Sequence, residues 1–350
     1  MPDHLVTVEG LTRHFAARRS FVAAVRGAPA STVRAVDDIS FHIDAGEVLA
    51  VVGESGCGKT TTANLLLGLD RPTGGTVRVA GDRVDTMDRT ALTALRSRVQ
   101  VVFQDPYESL NPRQTVAQTV AEPLHIHGRG GDPDDVARRV AAALGHAGLA
   151  PAEHWLHRRP HELSGGQRQR VCIAAALVLE PDVLIADEPV SMLDVSTRAE
   201  ILNLIAGLAG EQRVAVLMIT HDLSTVAAYS SRLAVMYMGR IVEIGPTTAV
   251  LRSPAHPYTR ALLSVVPVPD PRRRATPIVL RGETPDASRL PSGCRFHPRC
   301  PERFAPCDRV DPELLPLGAG HAAACLLHDP TADGDRPAGS GHQRSDTDGL

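Results

Sequence analysis

The sequence predicts an α/β fold in which a mostly parallel core sheet is flanked by helices. Short apolar runs alternate with longer helical patterns up to about residue 250, which is typical of parallel strands joined by helices. Strand patterns disappear between about residues 105 and 180, which indicates an inserted helical subdomain. From residue 254 onward proline and arginine become frequent, so neither long helices nor central strands are expected there. We therefore expect one domain over residues 1–253 and a smaller, irregular region over residues 254–328.

Short apolar runs identify the strands of the predicted sheet. They cover residues 39–43, 48–52, 99–103, 183–186, 214–219 and 233–237. The runs that begin at 48, 183 and 214 are continuously apolar, which indicates central strands covered on both faces. Inside the helical subdomain, the patterns over residues 134–145 and 167–179 predict two helices.

Composition and charge narrow the class of protein. The chain has 350 residues, of which 43% are hydrophobic, and its formal net charge of −3 gives no general attraction for nucleic acid. The first residues lack a basic stretch followed by an apolar run, and the apolar runs are too short to span a bilayer. We expect a cytoplasmic protein that meets the membrane only through partners. Residues 329–350 are polar and glycine-rich, and we expect them to form a disordered tail.

A glycine-rich loop directly follows the strand at 48–52 and opens a helical segment. Its residues are Gly53, Glu54, Ser55, Gly56, Cys57, Gly58, Lys59, Thr60 and Thr61. Glycines allow a tight turn whose N–H groups point at phosphate oxygens, and the helix N-terminus adds positive charge. We expect Lys59 to neutralise the β- and γ-phosphates and Thr60 to place its hydroxyl on Mg²⁺. The alternative is an unrelated glycine turn, and the flanking strand and helix argue against it.

A second apolar strand ends in two adjacent carboxylates, Asp187 and Glu188. Burying carboxylates is costly unless they meet a cation or a bonding partner. Neighbouring strand residues point in opposite directions, so Asp187 can serve the magnesium side while Glu188 faces an attacking water. A strand end with solvated acids is the alternative, and the phosphate loop makes it the weaker one.

The segment Leu163-Ser-Gly-Gly-Gln167, followed by Arg-Gln-Arg, resembles the signature motif of ATP-binding-cassette proteins. It lies between the phosphate loop and the paired carboxylates, which is the order found in that family. The resemblance implies a P-loop NTPase cassette with a mostly parallel core sheet, an antiparallel β subdomain and an inserted helical subdomain. It also implies an ATPase that needs Mg²⁺ and a second cassette for a complete site.

The resemblance implies roles for residues along the cassette. Glu188 is the candidate general base, His221 holds the γ-phosphate and the water, and Gln104 senses both and joins Thr60 and Asp187 around Mg²⁺. Ser164, Gly165 and Gly166 cap the γ-phosphate that is bound to the opposite subunit, and Gln167 is a further nucleotide-binding residue of the same motif.

Two further positions follow from the same resemblance. Asp194 belongs to a loop that contacts the partner cassette. Phe15 falls where an aromatic side chain stacks on adenine, although Phe21 competes for this role and Phe15 could also belong to the core.

Two more stretches resemble a narrower group, the ATPase subunits of oligopeptide and dipeptide importers, which also includes nickel and some glycan importers. They are Phe103-Gln-Asp-Pro with Ser109-Leu-Asn-Pro-Arg113, and His256-Pro-Tyr258-Thr-Arg. The GESGCGKT form of the phosphate loop and the long insertion after Phe15 are similar to those of the F-type member. The resemblance therefore implies a subunit that pairs with a D-type ATPase and acts with two membrane permeases and a solute-binding protein. We expect it at the cytoplasmic face of the cell membrane, as a peripheral protein. A soluble cassette of DNA repair or of the ribosome, a non-hydrolysing regulatory cassette and an exporter ATPase are the weaker alternatives.

Four cysteines lie close together near the end of the chain: Cys294, Cys300, Cys307 and Cys325. Thiolates from a proline-rich segment can fold around a metal that replaces a hydrophobic core. Their spacing does not decide between zinc, an iron-sulfur cluster and reduced cysteines without metal. The resemblance to peptide-importer ATPases favours a [4Fe-4S] cluster with a structural role.

Overall fold

The computed structural model describes residues 4–16, 32–266, 277–280, 282–283 and 285–332. Phe21 and the predicted tail beyond residue 332 lie outside the described residues. The expected tail began at residue 329, but the described chain continues to Ala332. There, Asp329 Oδ1 accepts hydrogen bonds from the N–H and the hydroxyl of Thr331, at 2.8 and 2.7 Å.

Twelve strands are described, and they form two sheets. The strands are β1 (Val6–Ala16), β2 (Thr32–Ile43), β3 (Val48–Val52), β4 (Gly74–Val79), β5 (Asp82–Arg83), β6 (Val99–Val102), β7 (Val183–Asp187), β8 (Ala215–Thr220), β9 (Arg232–Tyr237), β10 (Arg240–Pro246), β11 (Leu315–Gly318) and β12 (His321–Ala323). All six predicted apolar runs fall on strands, and five of them agree with the strand ends within one residue. The run at 39–43 covers only the last five residues of the twelve-residue strand β2. Strands β1, β4 and β10 were not predicted individually.

The eight-stranded core sheet has the order β11-β12-β10-β9-β3-β8-β7-β6. Its centre is parallel, because β9, β3, β8, β7 and β6 run in the same direction. Strands β3 and β8 are buried at every residue, as their continuous apolar runs predict. The carboxyl ends of β3 and β7 therefore open at the same edge of the sheet, which is where ligands bind in open α/β folds.

The second sheet is antiparallel and has the order β2-β1-β4-β5. It packs against the core sheet through a shared cluster of buried side chains that includes Val8, Phe41, Val77, Val51 and Ile219. This is the antiparallel β subdomain that the resemblance implied, and the overall α/β cassette fold is confirmed.

Ten α-helices are described. They are α1 (Lys59–Leu66), α2 (Arg89–Arg98), α3 (Pro106–Ser109), α4 (Val116–Ile126), α5 (Pro133–His146), α6 (Gly165–Leu177), α7 (Val195–Gln212), α8 (Leu223–Tyr229), α9 (Thr247–Arg252) and α10 (Pro257–Ser264). The two predicted helices correspond to α5 and α6. Helices α4, α5 and α6 pack together over one buried apolar cluster, so the segment between β6 and β7 is helical as predicted.

The region after residue 253 joins the core sheet at its edge. The hairpin β11–β12 pairs with β10, so the eight-stranded sheet ends in strands contributed by the C-terminal region. The buried carboxylate of Glu243 in β10 accepts hydrogen bonds from the N–H groups of Ala255 and His256, at 2.7 and 2.9 Å. The same carboxylate lies 2.8 Å from Nε2 of His321 in β12, so one side chain holds two C-terminal segments.

Within the described residues, no helix combines the length and the apolar character that crossing a bilayer requires.

Candidate nucleotide-binding site

The phosphate loop occupies the turn between β3 and α1, as the sequence predicts. Gly58 precedes the first residue of α1 and has φ of +111°, a conformation that favours glycine. A Cβ atom at Gly58 would lie 2.3 Å from the carbonyl oxygen of Ala35, and one at Gly53 would lie 2.2 Å from that of Met236. The glycines therefore let two neighbouring segments close tightly around the loop.

Lys59 is the first residue of α1 and is 7% exposed. Its Nζ donates to the carbonyl oxygens of Gly53 at 2.7 Å and Glu54 at 3.1 Å. Carbonyl oxygens are neutral acceptors, so these hydrogen bonds hold the ammonium group in place without placing a negative charge on it. The loop thus holds the Lys59 ammonium group at the N-terminus of α1, where the helix dipole adds further positive charge.

A cleft of about 420 Å³ opens beside the loop. It is lined by Ala35, Ser55, Gly56, Gly58, Lys59, Thr60, Thr61, Gln104, Asp187, Glu188 and His221. Five separate segments of the cassette thus meet at one edge of the sheet. Ala35 was not predicted, because an alanine in a strand carries no local sign of a binding role.

Asp187 ends β7 and lies next to the helix that the loop opens. The hydroxyl of Thr60 donates to Asp187 Oδ2 at 3.1 Å. Burial raises the pKa of Asp187, the hydrogen bond from Thr60 opposes this shift, and the neighbouring Glu188 adds to it. A hydroxyl and a partly desolvated carboxylate in contact are suitable ligands for a hard divalent cation such as Mg²⁺.

Glu188 follows at the start of the next turn with φ of +49°, a left-handed conformation that is unusual for glutamate. Its N–H donates to the carbonyl oxygen of Ile219 at 2.9 Å, which fixes the backbone. Its Oε1 lies 3.2 Å from Nδ1 of His221, which follows β8. The two side chains that the sequence assigned to water activation therefore meet directly.

The signature residues lie apart from this cleft. Ser164 precedes α6, where its hydroxyl accepts from Gln167 N–H at 3.3 Å and Gln167 Oε1 accepts from Ser164 N–H at 3.0 Å. A Cβ atom at Gly166 would lie 2.2 Å from Cγ2 of Thr197, so α6 starts tightly against α7. The described residues that line the cleft include none of residues 163–167. The N-terminus of α6 is therefore placed to bind an anion that lies outside this cleft.

Asp194 lies at the start of α7 and caps that helix. Its carboxylate accepts from Thr197 N–H, Ser196 Oγ and Thr197 Oγ1 at 3.1, 2.6 and 2.8 Å. The hydroxyl of Ser196 and the other donors lower the pKa of Asp194 to about 2. Asp194 does not line the cleft and is exposed, and its contact with a partner cassette stays a prediction.

Phe15 lies near the end of β1 and is 36% exposed. The guanidinium of Arg13 lies 4.3 Å from the centre of its ring. Phe15 does not belong to the cleft lining, and it pairs across the sheet with Val33, two residues before Ala35. The ring is therefore near the cleft and accessible, and its adenine contact stays a prediction.

The four C-terminal cysteines lie near one another in two small clusters. Cys294 and Cys300 pack against buried aromatic residues, and Cys307 and Cys325 pack with Phe304. Burial raises the pKa of Cys294, Cys300 and Cys325 to about 12, and the neighbouring cysteines add to this rise. The backbone N–H groups of Phe296, His297, Glu302 and Leu327 oppose this rise in pKa.

These thiols are more widely spaced than a single metal ion needs. In the described part of the chain, one set of three ligand atoms lies within 4.8 Å of one another, and it consists of His4, His42 and Asp44. Zinc bonds of about 2.3 Å would bring thiolate sulfurs closer than that. An iron-sulfur cluster is larger, and N–H donors to the sulfurs are a feature of such sites.

The C-terminal region also reaches the phosphate loop, a contact that the sequence did not indicate. Arg299 Nη1 lies 2.9 and 3.1 Å from the two carboxylate oxygens of Glu54. The N–H of Glu54 donates to the hydroxyl of Tyr258 at 3.0 Å. Because the partners are separated by more than 200 residues, no local pattern could have predicted the pairing.

Comparisons with known proteins agree with this geometry. Residues 36–191 match a model for the ABC transporter family, and residues 242–307 match one for the oligopeptide/dipeptide transporter C-terminal region. The chain is 46% identical over 338 residues to the protein named "Probable peptide ABC transporter ATP-binding protein y4tS" of Sinorhizobium fredii, covering 95% of this chain and 92% of the relative.

A second relative and a solved structure support the same placement. The dipeptide transport ATP-binding protein DppF of Escherichia coli is 43% identical over 319 residues, covering 91% of this chain and 93% of the relative. The dimeric ATP-binding cassette MJ0796, solved with ADP and Pi, has a TM-score of 0.60 and 28% identity, covering 69% of this chain and 98% of that one. The chain belongs to the ATP-binding subunits of ABC transporters and carries the C-terminal region of their oligopeptide/dipeptide branch.

Proposed function

We propose that this chain is the ATP-hydrolysing subunit of a peptide importer, the F-type member of a D/F pair. The observation that carries the proposal is the cleft itself, in which the phosphate loop meets the paired carboxylates and His221. The relatives are named as peptide and dipeptide transport ATP-binding proteins, and this chain covers more than nine-tenths of two of them.

The cleft residues have different roles in phosphoryl transfer. Lys59 and the N–H groups of the loop bind the phosphates. Thr60, Asp187 and Gln104 would hold Mg²⁺, which would supply positive charge to the phosphate oxygens. Glu188 accepts a proton from the attacking water. His221, 3.2 Å from Glu188, orients that carboxylate and holds the γ-phosphate.

A second cassette completes the site. The N-terminus of α6, with Ser164, Gly165 and Gly166, lies outside its own cleft and caps the γ-phosphate bound by the partner. ATP then favours the closed pair and hydrolysis releases it, which shifts a two-state equilibrium that membrane subunits can follow. We propose a D-type ATPase as the partner, with two permeases and a solute-binding protein in the complex.

We place the chain at the cytoplasmic face of the cell membrane as a peripheral protein, held there by the permeases. Peptide is the proposed cargo, and nickel and glycans are the alternatives. The cassette binds nucleotide and does not touch the cargo, so specificity lies in the other subunits.

We further propose that Cys294, Cys300, Cys307 and Cys325 hold a [4Fe-4S] cluster with a structural role. Backbone N–H groups oppose the rise in pKa of three of the thiols, and no three of the four sulfurs lie as close together as one zinc ion would hold them. Anaerobic purification with iron, sulfide and zinc analysis tests this proposal. About four iron and four sulfide per chain support it, whereas stoichiometric zinc or no metal in a folded protein contradicts it.

Transport by the whole complex tests the proposed function. The complex is purified in detergent with this chain, reconstituted in vesicles, and supplied with ATP, the solute-binding protein and a labelled dipeptide. ATP-dependent uptake that is lost in the Glu188→Gln complex supports the proposal. Uptake of Ni²⁺ or of a glycan, with no response to peptides, would instead assign the alternative cargo.

A further inference from the structure

Three polar groups of Glu54, in the phosphate loop, are held from three directions. Its N–H donates to Tyr258 Oη at 3.0 Å, its carboxylate pairs with Arg299, and its carbonyl oxygen accepts from Lys59 at 3.1 Å. Two of these partners belong to the C-terminal region and the third is the phosphate-binding lysine. Glu54 therefore links the C-terminal region to the residue that binds phosphate.

The hydroxyl that receives the Glu54 N–H is fixed in place. Tyr258 is fully buried, and its ring packs against Tyr237 at 4.7 Å and Phe296 at 5.4 Å between ring centres. Phe296 also meets Tyr237 edge-on at 5.3 Å. A tyrosine in such a cluster cannot follow a loop that moves, so the loop must stay where the hydroxyl is.

Arg299 is held equally firmly. Its side chain is 10% exposed and that of Glu54 is 28% exposed, so the pair is shielded from solvent far more than a surface ion pair. The segment that carries Arg299 is closed by hydrogen bonds from Arg299 N–H to Phe296 O at 3.0 Å and from Cys294 N–H to Cys307 O at 2.9 Å.

The same segment is anchored a second time to the cassette. Arg295 is 6% exposed, donates to the carbonyl oxygen of Met238, and pairs with the buried carboxylate of Asp37 in β2. Asp37 also lies 2.8 Å from Nε2 of His14. The two arginines thus connect one turn of the C-terminal region to both sheets of the cassette.

We propose that Arg299 and Tyr258 are positioning residues for the phosphates of bound nucleotide, so that the C-terminal region sets the affinity of the loop. The inference rests on the proposed ATPase function. Glu54 immediately precedes Ser55, which lines the cleft, so holding Glu54 restricts the direction of the loop N–H groups that follow. Arg299 also neutralises a carboxylate that would otherwise repel the phosphates.

Titration calorimetry of the full-length chain with Mg-ADP measures this effect without hydrolysis. Arg299→Ala is expected to raise Kd about tenfold, because it removes a charged hydrogen bond and frees the Glu54 carboxylate. Arg303→Ala is the matched control, since Arg303 is an exposed arginine of the same region. The number of sites separates the outcomes: a misfolded variant loses sites, whereas a misplaced loop keeps its sites and binds more weakly.

Three further variants decide between positioning and mere stability. Arg299→Lys, which keeps the charge, is expected to recover part of the affinity. Arg299→Ala on a Glu54→Gln background is expected to change Kd by less than about twofold, because the partner charge is gone. Tyr258→Phe removes one oxygen and keeps the aromatic packing, and it is expected to raise Kd severalfold.

Equal Kd values for the wild type, Arg299→Ala and Tyr258→Phe would overturn the inference. An equal loss from Arg299→Ala on both Glu54 backgrounds would overturn it too, because the two residues would then act independently. A wild-type chain that fails to bind Mg-ADP would instead contradict the proposed function, so the two failures are distinct.

Discussion

The core sheet and the C-terminal region present residues to the same loop by different physical means. Strands β3, β7 and β8 are continuously apolar, and they deliver the phosphate loop, Asp187 and His221 at their ends through packing. The region after residue 253 is proline-rich and offers a small core, and it is attached through buried charges at Glu243, Arg295 and Arg299.

This difference has an energetic consequence. Apolar packing tolerates many substitutions of similar volume, because it is not directional. A buried carboxylate tolerates few changes, because removing one partner leaves the others desolvated and unpaired. We therefore expect the cassette to lose function mainly through its polar cleft residues and the C-terminal region to lose stability through its anchors.

The largest expected effect separates chemistry from binding within the cleft. Glu188→Gln should lower the ATPase turnover of the assembled complex by a factor of about 10² to 10⁴, because the proton acceptor is lost. Nucleotide affinity should be kept, since Lys59 and the loop are unchanged. Turnover and Mg-ATP affinity are measured together, with the exposed Glu211→Gln as the control. Normal turnover in Glu188→Gln would remove Glu188 from the mechanism.

Glu243→Gln tests the anchoring of the C-terminal region. The substitution replaces one acceptor oxygen with a donor that faces other donors, and the side chain is fully buried. We expect a loss of about 3 kcal/mol in the free energy of unfolding, measured by denaturant titration. The exposed Glu313→Gln should leave stability unchanged. Equal stability of both variants would mean that apolar contacts, and not this carboxylate, hold the region.

Asp187→Asn is expected to increase the stability of the fold while weakening nucleotide binding. Burial raises the pKa of Asp187, so the ionised carboxylate destabilises the fold at neutral pH, and this cost disappears as the pH falls below the usual value of 3.8. The variant should therefore be more stable than the wild type at pH 7, with a difference that shrinks on acidification. It should also lose Mg²⁺-dependent affinity. A pH-independent difference would contradict the burial argument.

Asp194→Asn should show the opposite pH dependence. The hydrogen bonds that lower the pKa of Asp194 to about 2 mean that the ionised form stabilises the fold above pH 3.8, and that this stabilisation is lost as the pH falls through about 2. The wild type should be the more stable protein at neutral pH, and the two should converge in acid. Thermal unfolding across this range checks the sign.

The smallest expected effect concerns the adenine. Phe15→Ala should weaken Mg-ADP binding by about 1 kcal/mol if the ring stacks on the base, because the ring is accessible and lies close to the cleft. The parallel variant Phe21→Ala should then leave affinity unchanged. The reverse pattern would assign the stacking role to Phe21.

The strands of the core sheet and the phosphate loop are predicted well from the sequence, whereas the contacts of the C-terminal region are not. Val48–Val52 and Val183–Asp187 are recognisable because continuous apolar runs fix both their structure and their position, and the phosphate loop follows from its glycines. The strand Gly74–Val79 was missed because it is short and begins with two glycines. The pair Arg299–Glu54 was missed because its two residues are far apart in the sequence and meet only through the packing of two regions. An arginine or a glutamate in the sequence does not show which residue it will pair with.

Light scattering can test whether each cassette supplies only part of a catalytic site. It measures the mass of the Glu188→Gln chain with its co-purified partner ATPase, in Mg-ATP and in Mg-ADP. A pair of cassettes is expected in Mg-ATP and separate cassettes in Mg-ADP, because the γ-phosphate bound by one cleft is capped by the α6 N-terminus of the other. Separate cassettes in both nucleotides, with full hydrolysis by the dilute wild-type chain alone, would contradict the claim that each cassette supplies only part of a site.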